Sequence, residues 1–468
     1  MPQQTDVGVV GGGPGGYVAA LRAAALGARV TLIERDTLGG VCLNWGCIPS
    51  KALLRSAEVL QLAQRAAAYG VVTGDVRADF PAMVARKDRV VRQLVRGVQG
   101  LLEASGVTVM RGTARLAGAG ALEVTGNGTT DVVVAKALIV ATGSSPARPP
   151  IPGIESAGVL DSTSALALAE LPKHIVVAGA GAVGVEFATL FALLGCQVTL
   201  VEMLPAVVPN EDADISEAMR KILVQQGVTV HTATRIVSVK ARQGGLQVEL
   251  GTANGTSTVE TTHVLMATGR RPNVRDLGLE PAGVRFSPQG ITVDAQLQTT
   301  APGVYAIGDV TGKKQLAHVA SHQGIVAAEN ALGHPAAFDD RAVPACTFTH
   351  PEIASVGLTE AEARTRHGDV AVGRFPFQAL GRARAHGDTD GFVKIVAGAR
   401  HGEVLGVHIL GPAASDLISE GVLAIQLEAT LDDLRAAIHA HPTFPEATAE
   451  AAWAAIGAPL HLPSRRAT

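Results

Sequence analysis

The chain contains 468 residues with a net charge of −3, of which 47% are hydrophobic and 17% charged. At roughly 100–200 residues per domain this length suggests about three domains, and the composition excludes extensive disorder. No basic block or tail is present, so we expect no nucleic acid partner. No apolar run reaches the ~18 residues of a membrane span and no basic segment precedes the first apolar run, so we predict a cytoplasmic protein without membrane partners or a signal peptide.

The sequence contains an internal repeat. Residues 6–34 (DVGVVGGGPGGYVAALRAAALGARVTLIE) and 174–202 (HIVVAGAGAVGVEFATLFALLGCQVTLVE) each combine an apolar run, a glycine cluster, an Ala- and Leu-rich stretch and a second apolar run that ends in glutamate. The first glycine and the final glutamate are 23 residues apart in both copies. This pattern predicts two β-α-β units, each with a parallel sheet.

The glycines of the first unit are spaced as in a dinucleotide-binding fingerprint. Gly11 permits a tight turn, Gly13 lets the backbone approach a pyrophosphate, and Gly16 lets the helix pack closely on the strand. The following helix directs its N-terminal N–H groups at the phosphates. Glu34, at the end of the second strand, can accept hydrogen bonds from both hydroxyls of an adenosine ribose. The first unit therefore predicts a bound dinucleotide.

The second fingerprint consists of Gly179, Gly181 and Gly184, with Glu202 as its acidic residue. The Glu202 carboxylate would repel a 2′-phosphate, and the next residues, 203–205 (MLP), provide no basic group to bind one. The second unit therefore favours NAD(H) over NADP(H).

The rest of the chain divides around SSPARPPIPG, residues 144–153, whose four prolines are typical of a domain boundary. ALIVATG and HVLMATG are predicted strands that run into glycine turns, at Gly143 and Gly269, beneath the nucleotides. GVYAIGD, residues 303–309, is a predicted strand of the first domain. From about residue 342 strand-rich segments and helices predict a third, α+β domain with a loosely held tail, PSRRAT; its predicted strands are residues 346–349, 392–396 and 404–409.

The chain has four cysteines, too few for a disulfide framework in a protein of this length: Cys42, Cys47, Cys196 and Cys346. The first two lie in GGVCLNWGCIPSK, residues 39–51, directly after the first unit. Pro49 is typical of a first helical turn, so Cys47 is predicted near a helix N-terminus. There the helix dipole and Lys51 would stabilise a thiolate.

Two other roles for the Cys42–Cys47 pair are less consistent with the sequence. A metal-binding pair would need a second Cys/His pair at a suitable spacing, and we find none, so no metal site is predicted. A purely structural disulfide is not expected in a reducing compartment. The pair is therefore predicted to be a redox-active disulfide.

A further candidate for proton transfer is HAHPTFPE, residues 439–446. Histidine accepts and returns protons near neutral pH, and a glutamate five residues later can bind its far ring nitrogen. A histidine before proline is more often structural when considered alone. The thiol pair elsewhere in the chain favours the catalytic interpretation, because thiol–disulfide exchange requires a proton carrier.

Together these elements resemble the flavoprotein disulfide reductases over about residues 6–460. The resemblance includes both dinucleotide units, CLNWGC, the two ATG turns, Gly308–Asp309 and HPTFPE. It implies an α/β fold with two Rossmann-like dinucleotide-binding domains and a C-terminal α+β dimerisation domain, and therefore a homodimer. The implied domains are the first part of the FAD-binding domain (1–143), the NAD-binding domain (144–270), the second part of the FAD-binding or central domain (271–341) and the dimer-interface domain (342–468).

The resemblance also assigns roles to single residues. It implies FAD on Gly11, Gly13, Gly16, Glu34, Lys51, Ala114, Gly143, Asp309 and Ala317, and NAD(H) on Gly181, Gly184, Glu202 and Gly269. Cys47 matches the flavin-facing sulfur and Cys42 the substrate-facing sulfur. His441, rather than His439, matches the proton acceptor, with Glu446 as its partner, and Lys51 and Glu186 match a charged pair beside the flavin. His441 would serve the disulfide of the other subunit, so that a monomer has no complete active site.

Within this family the chain is most similar to members that oxidise dihydrolipoamide with NAD⁺. The implied partner is a lipoylated protein of a 2-oxoacid dehydrogenase or glycine cleavage complex. The alternatives are another NAD(P)H-dependent disulfide or metal-ion reductase of the family and a non-catalytic flavoprotein subunit.

Several features argue against these alternatives. Mercuric reductases carry a C-terminal cysteine pair, whereas the last cysteine here is Cys346. Glutathione reductases favour NADP(H), and soluble transhydrogenases lack the second redox cysteine. The presence of Cys42, Cys47, His441 and Glu446 argues against a non-catalytic subunit.

Overall fold

The computed structural model describes residues 2–118, 120–126 and 128–463, so nearly all of the expected PSRRAT tail lies outside the described residues. The first region contains six strands and four α-helices. They are β1 (Gln3–Val10), α1 (Pro14–Ala25), β2 (Val30–Glu34), α2 (Gly40–Trp45), α3 (Cys47–Gln64), α4 (Phe80–Ala104), β3 (Thr108–Arg111), β4 (Thr113–Leu116), β5 (Ala121–Gly126) and β6 (Thr129–Val140). A 3₁₀ turn, Ala66–Tyr69, follows α3.

The first sheet has a parallel core in the order β3-β2-β1-β6, and β5 and β4 continue it in antiparallel pairing. β1 is buried on both faces, as expected for a central parallel strand with helices on either side. The first predicted β-α-β unit is therefore confirmed, and its glycines lie at the carboxyl end of β1, where ligands bind in such sheets.

The second region repeats this design. Its elements are β7 (Ser144–Pro146), β8 (Val159–Leu160), α5 (Ser162–Ala165), β9 (His174–Ala178), α6 (Ala182–Leu193), β10 (Gln197–Val201), α7 (Ala213–Gln225), β11 (Thr229–His231), β12 (Arg235–Arg242), β13 (Gly245–Thr252), β14 (Gly255–Thr261), β15 (His263–Met266) and β16 (Arg270–Pro272). β11, β10, β9, β15 and β8 form a parallel sheet in that order. The antiparallel sheet β12-β13-β14 packs against it through a shared apolar core. The second β-α-β unit is therefore also confirmed.

The chain then returns to the first sheet. This segment contains β17 (Phe286–Ser287), β18 (Gly290–Ile291), β19 (Val304–Ala306), a 3₁₀ turn (Gly308–Thr311) and α8 (Ala317–Ala331). β19 pairs in parallel with β6. It ends at Ala306 and not at Asp309 as the sequence suggested, because Gly308 adopts φ +69° and turns the backbone into the 3₁₀ turn. The turn places Asp309 at the carboxyl edge of the first sheet.

The C-terminal region is an antiparallel sheet covered by helices. It consists of β20 (Ala345–Thr347), β21 (Glu352–Gly357), α9 (Glu360–His367), β22 (Val370–Pro376), a 3₁₀ turn (Phe377–Ala379), α10 (Gly381–His386), β23 (Phe392–Gly398), β24 (Val404–Gly411), α11 (Ala414–Gln426), α12 (Leu431–Ala436) and α13 (Glu446–Ala455). The strand order is β20-β21-β24-β23-β22. The predicted α/β fold class, with an α+β C-terminal region, is confirmed. Within the described part of the chain no helix has the length and apolarity to cross a bilayer.

A buried ion cluster joins the second region to the C-terminal region. Lys394 of β23 is 3% exposed, and its Nζ lies 2.7 Å from Asp212, 2.8 Å from Asp214 and 2.8 Å from Glu360. Burial opposes the charge of Lys394, but the three carboxylates outweigh it and raise its pKa. Burial likewise opposes ionisation of Asp212, but the hydrogen bond from Lys394 and the other donors outweigh it and lower the pKa of Asp212.

We predict that Lys394→Met destabilises the chain by about 3–5 kcal/mol, because it leaves the buried Asp212 carboxylate without its cationic partner. The pKa of Asp212 is lower in the folded than in the unfolded state. Ionised Asp212 therefore contributes fully to the free energy of unfolding above its unfolded pKa of about 4, and this contribution is lost as the pH falls through its folded pKa. The wild type should therefore lose more stability than the variant below about pH 4. Urea denaturation across this pH range measures both effects. Lys240→Met, at an exposed position of β12, is the matched control, and equal denaturation midpoints for the two variants would contradict the prediction.

Candidate active site

The first glycine turn leads from β1 into α1. Gly11 adopts φ +103°, and a side chain on Gly16 would collide with the Gly11 carbonyl. Glu34, at the end of β2, accepts hydrogen bonds from the backbone N–H of Gly12 at 2.6 Å and of Asp36 at 2.7 Å. The sequence spacing therefore places a carboxylate against the glycine turn, beside the N-terminus of α1.

The second turn has the same local geometry. Glu202 accepts hydrogen bonds from the N–H of Ala180 at 2.6 Å and of Leu204 at 2.8 Å. A Cβ on Gly181 would meet no atom within 4 Å, so the space before the N-terminus of α6 is open. Free helical N–H groups, an open cradle and a nearby carboxylate fit the pyrophosphate and ribose of a dinucleotide.

The two thiols of the CLNWGC segment lie at the junction of two helices. Cys42 belongs to α2, and Cys47 is the first residue of α3, as its predicted place near a helix N-terminus required. Both are free thiols. Interaction with the Cys47 sulfur, together with burial, raises the pKa of Cys42. Interaction with the Cys42 thiol, helped by Lys51 and opposed by burial, lowers the pKa of Cys47 to about 7.

Above about pH 7 the reduced pair therefore holds one proton. Cys47 is the thiolate, which is the nucleophilic form of cysteine, and Cys42 is the thiol. Among the described residues no group of three or more His, Cys, Asp and Glu side chains is arranged to hold a metal ion.

An ion pair lies one helical turn after Cys47. The Nζ of Lys51 is 2.9 Å from Oε1 and 2.8 Å from Oε2 of Glu186 on α6. The backbone N–H of Phe348, just after β20, donates to Glu186 Oε1 at 2.9 Å, and the Lys51 ammonium lies 4.5 Å from the centre of the Phe348 ring. Elements of all three regions thus meet beside the thiols. Phe348 has no signal in the sequence, since it contributes through its backbone N–H.

The two ATG turns converge on Asp309. Ser144, directly after Gly143, donates to Asp309 Oδ2 at 2.5 Å. Arg270, directly after Gly269, donates to the hydroxyl of Ser144 at 2.7 Å and to its carbonyl at 2.6 Å. Ser144 and Arg270 were not among the predicted site residues, although both follow the repeated ATG directly. Two other expected FAD residues lie apart from this network: Ala114 is buried in β4, and Ala317 is the first residue of α8.

His441 and Glu446 form a dyad at the surface. His441 Nδ1 lies 2.8 Å from Glu446 Oε1, while Glu446 Oε2 accepts the N–H of Thr443 at 2.7 Å. Burial opposes the ionisation of Glu446, but the bonds from His441 and Thr443 outweigh it and lower the pKa of Glu446. The His441 side chain is 79% exposed and hydrogen-bonds neither redox cysteine of its own chain. By contrast, His439 is 11% exposed and bound to Glu420.

Comparison with known proteins covers nearly the whole chain. Residues 5–324 match the family model described as pyridine nucleotide-disulphide oxidoreductase, and residues 343–452 match the dimerisation domain of that family. The chain is 43% identical to a dihydrolipoyl dehydrogenase of Chlamydia muridarum over 100% of both chains, and 42% identical to one of Geobacillus stearothermophilus over 98% of both. The structure of LpdA from Mycobacterium tuberculosis is similar with a TM-score of 0.89 and 32% identity, over 96% of this chain and 99% of that one.

The matched segments contain every feature described above. The larger match includes both glycine turns, the thiol pair and the junction at Glu186. The smaller match includes the dyad and confirms that the α+β region is a dimerisation domain. The chain therefore belongs to the pyridine nucleotide-disulphide oxidoreductase family.

Proposed function

We propose that the chain is a homodimeric dihydrolipoyl dehydrogenase, which oxidises protein-bound dihydrolipoamide and uses FAD and NAD⁺. The thiol pair carries this proposal: Cys42 on α2 and Cys47 at the start of α3 lie at the junction of two helices that directly follow the first dinucleotide unit. The full-length similarity to dihydrolipoyl dehydrogenases supports dihydrolipoamide as the substrate. The lipoyl group would belong to a separate protein of a 2-oxoacid dehydrogenase or glycine cleavage complex.

In this proposal the two glycine turns hold different nucleotides. Gly11, Gly13, Gly16, Glu34, Lys51, Ala114, Gly143, Asp309 and Ala317 would hold FAD, and Gly179, Gly181, Gly184, Glu202 and Gly269 would hold NAD(H). When bound, FAD supplies a two-electron relay and NAD⁺ the final hydride acceptor. The pairing of β19 with β6 supports assigning residues 1–143 and 271–341 to one FAD-binding unit, with 144–270 as the NAD-binding unit and 342–468 as the dimer-interface unit.

The thiol chemistry follows from the asymmetry of the pair. In the oxidised enzyme a substrate thiolate attacks Cys42 Sγ, the Cys42–Cys47 bond breaks, and Cys47 leaves as the thiolate that its lowered pKa favours. The second substrate thiolate then attacks the substrate sulfur of the mixed disulfide and releases Cys42. Two electrons have passed from the substrate dithiol, now a disulfide, to the enzyme. The protons of the two substrate thiols go to the base and to Cys42.

His441 is the proposed base. Glu446 binds its Nδ1 and so leaves Nε2 to accept a proton from the substrate. The dyad is exposed and lies in the dimerisation domain, which supports a site that joins the thiols of one subunit to the His441 of the other. Glu186 holds the Lys51 ammonium near Cys47, where this positive charge stabilises the thiolate and the Glu186 carboxylate opposes it.

Purified protein should oxidise dihydrolipoamide with NAD⁺ much faster than with NADP⁺, and should reduce glutathione disulfide poorly with either reduced nicotinamide. Glu202→Ala should relax the discrimination against NADP⁺, because it removes a negative charge beside the 2′ position. Steady-state kcat/KM values measure both preferences, for dihydrolipoamide with NAD⁺ or NADP⁺ and for glutathione disulfide with NADH or NADPH. If the wild type prefers NADP⁺, Glu202 does not have the proposed role. If the wild type is inactive with dihydrolipoamide, dihydrolipoamide is not the substrate.

The two sulfurs should be separable by spectroscopy. In the reduced protein containing FAD, Cys42→Ser should retain the visible charge-transfer absorbance between a thiolate and the flavin, whereas Cys47→Ser should lose it. In the reduced wild type this absorbance should rise with pH around 7, because the pKa of Cys47 is lowered to about 7. Cys196→Ser, outside the site, is the control. A band that depends on Cys42 instead would exchange the two roles.

His441→Gln should lower dihydrolipoamide turnover by about 10²–10⁴-fold, the usual contribution of a general base. Electron transfer from NADH to an artificial acceptor should remain, because it bypasses thiol exchange. His439→Gln is the matched control, since that ring is occupied by Glu420.

Mixed dimers test whether His441 acts across the interface. When Cys42→Ser and His441→Gln chains are refolded together, random pairing should give about half mixed dimers, each with one complete site. Recovered activity supports the shared site. Inactive mixed dimers would place His441 and Cys42 in the same subunit.

A further inference from the structure

The long helix α4 concentrates positive charge. It carries five basic and two acidic residues, whereas the whole chain has a net charge of −3. These residues do not form a basic block in the sequence, because other residues separate them along the chain. The helix brings them together on its surface.

The five basic residues of α4 divide into two groups. Lys87 is buried and donates to the Leu166 carbonyl at 2.9 Å, and Arg86 donates to the Ala52 carbonyl at 2.9 Å, so both stabilise the fold. Arg89, Arg92 and Arg96 are exposed and have no carboxylate within 4.0 Å among the described residues. We refer to these three arginines as the basic face.

The spacing of the basic face is helical. Positions three and four residues apart lie on one side of a helix, whereas the buried Val98, nine residues after Arg89, lies on the opposite side. A charged face on an amphipathic helix is often simply solvated, and such surfaces usually mix both signs. Here the two acidic residues of α4 contact other groups, since Asp88 binds Lys87 and Glu103 accepts a hydrogen bond from Gln99. Three unpaired guanidinium groups in one row are suited instead to binding carboxylates on another molecule.

The opposite side of α4 packs close to the redox thiols. Val98 shares an apolar core with Leu43, which follows Cys42, and Ile48, which follows Cys47. A helix with its side chains is about 10 Å across. The basic face is therefore about one helix thickness from the segment that bears both thiols.

We propose that the basic face docks an acidic surface of the lipoyl-bearing substrate protein while its dithiol exchanges with Cys42; this rests on the proposed function. An extended lipoyl-lysine chain is longer than a helix is thick, so a carrier held on α4 can place its dithiol at the thiols. Complementary charge raises the rate of encounter and is screened by salt. Free dihydrolipoamide has no carrier and gains nothing from the basic face.

The test compares two substrates of the full-length protein with bound FAD. A triple variant, Arg89→Gln, Arg92→Gln and Arg96→Gln, should lower kcat/KM for a reduced, lipoylated lipoyl domain of acidic net charge by about 10-fold at low salt, mainly through KM. Its kcat/KM for free dihydrolipoamide should stay within about twofold of wild type. Added salt should reduce the difference between variant and wild type. Replacing the same three residues with lysine should restore most of the activity with the carrier.

A matched control removes the same charge elsewhere. Arg235→Gln, Arg285→Gln and Arg400→Gln change three exposed arginines outside α4 and should leave both rates near wild type. An equal loss in this control, or wild-type carrier kinetics in the α4 variant, would overturn the docking role. A second outcome would also overturn the docking role. If phosphatidylserine vesicles bind the wild type but not the α4 variant, and both proteins have the same kinetics with the carrier, the basic face binds a membrane. If the wild type does not oxidise free dihydrolipoamide, the proposed function is refuted and not only the docking role.

Discussion

The contact between Lys51 and Glu186 is the constraint on which the arrangement of the site depends. Lys51 lies one turn into the helix that begins with Cys47, and Glu186 lies on the first helix of the second β-α-β unit. Glu186 is buried and Lys51 is partly buried, so loss of the ammonium would leave the carboxylate poorly solvated and without its charge partner. The Phe348 N–H binds the same carboxylate and adds the dimerisation domain to the junction. One ion pair thus fixes the relative position of thiols, second nucleotide unit and dimer-forming sheet.

The internal repeat explains why the two ATG turns meet at Asp309. Each unit ends in an ATG turn, and the residue after each turn contributes to one polar network around Asp309. Gly308 allows the chain to reach that position after β19 has rejoined the first sheet. The two repeated units are therefore joined by a segment that has no repeat, the one that runs from β19 to Asp309.

Much of this could be predicted from the sequence, because apolar runs, glycine spacing and terminal glutamates are local signals. Both β-α-β units and the helical position of Cys47 are of this kind. The end of β19 was misplaced by three residues, since the strand pattern continues through Ile307 and only the conformation of Gly308 stops it. Contacts between distant segments left no such signal: the Phe348 N–H, the Ser144–Arg270 pair and the buried Lys394 cluster depend on how the regions pack.

The shared proton of the thiol pair also has an electrochemical consequence. Well below pH 7, reduction of the disulfide takes up two electrons and two protons, so its potential falls by about 59 mV per pH unit. Above the pKa of Cys47, about 7, only one proton accompanies the two electrons and the slope halves to about 30 mV. Reduction of a nicotinamide also takes up two electrons and one proton. In mildly alkaline solution the two couples therefore shift in parallel, and the balance between them no longer depends on pH.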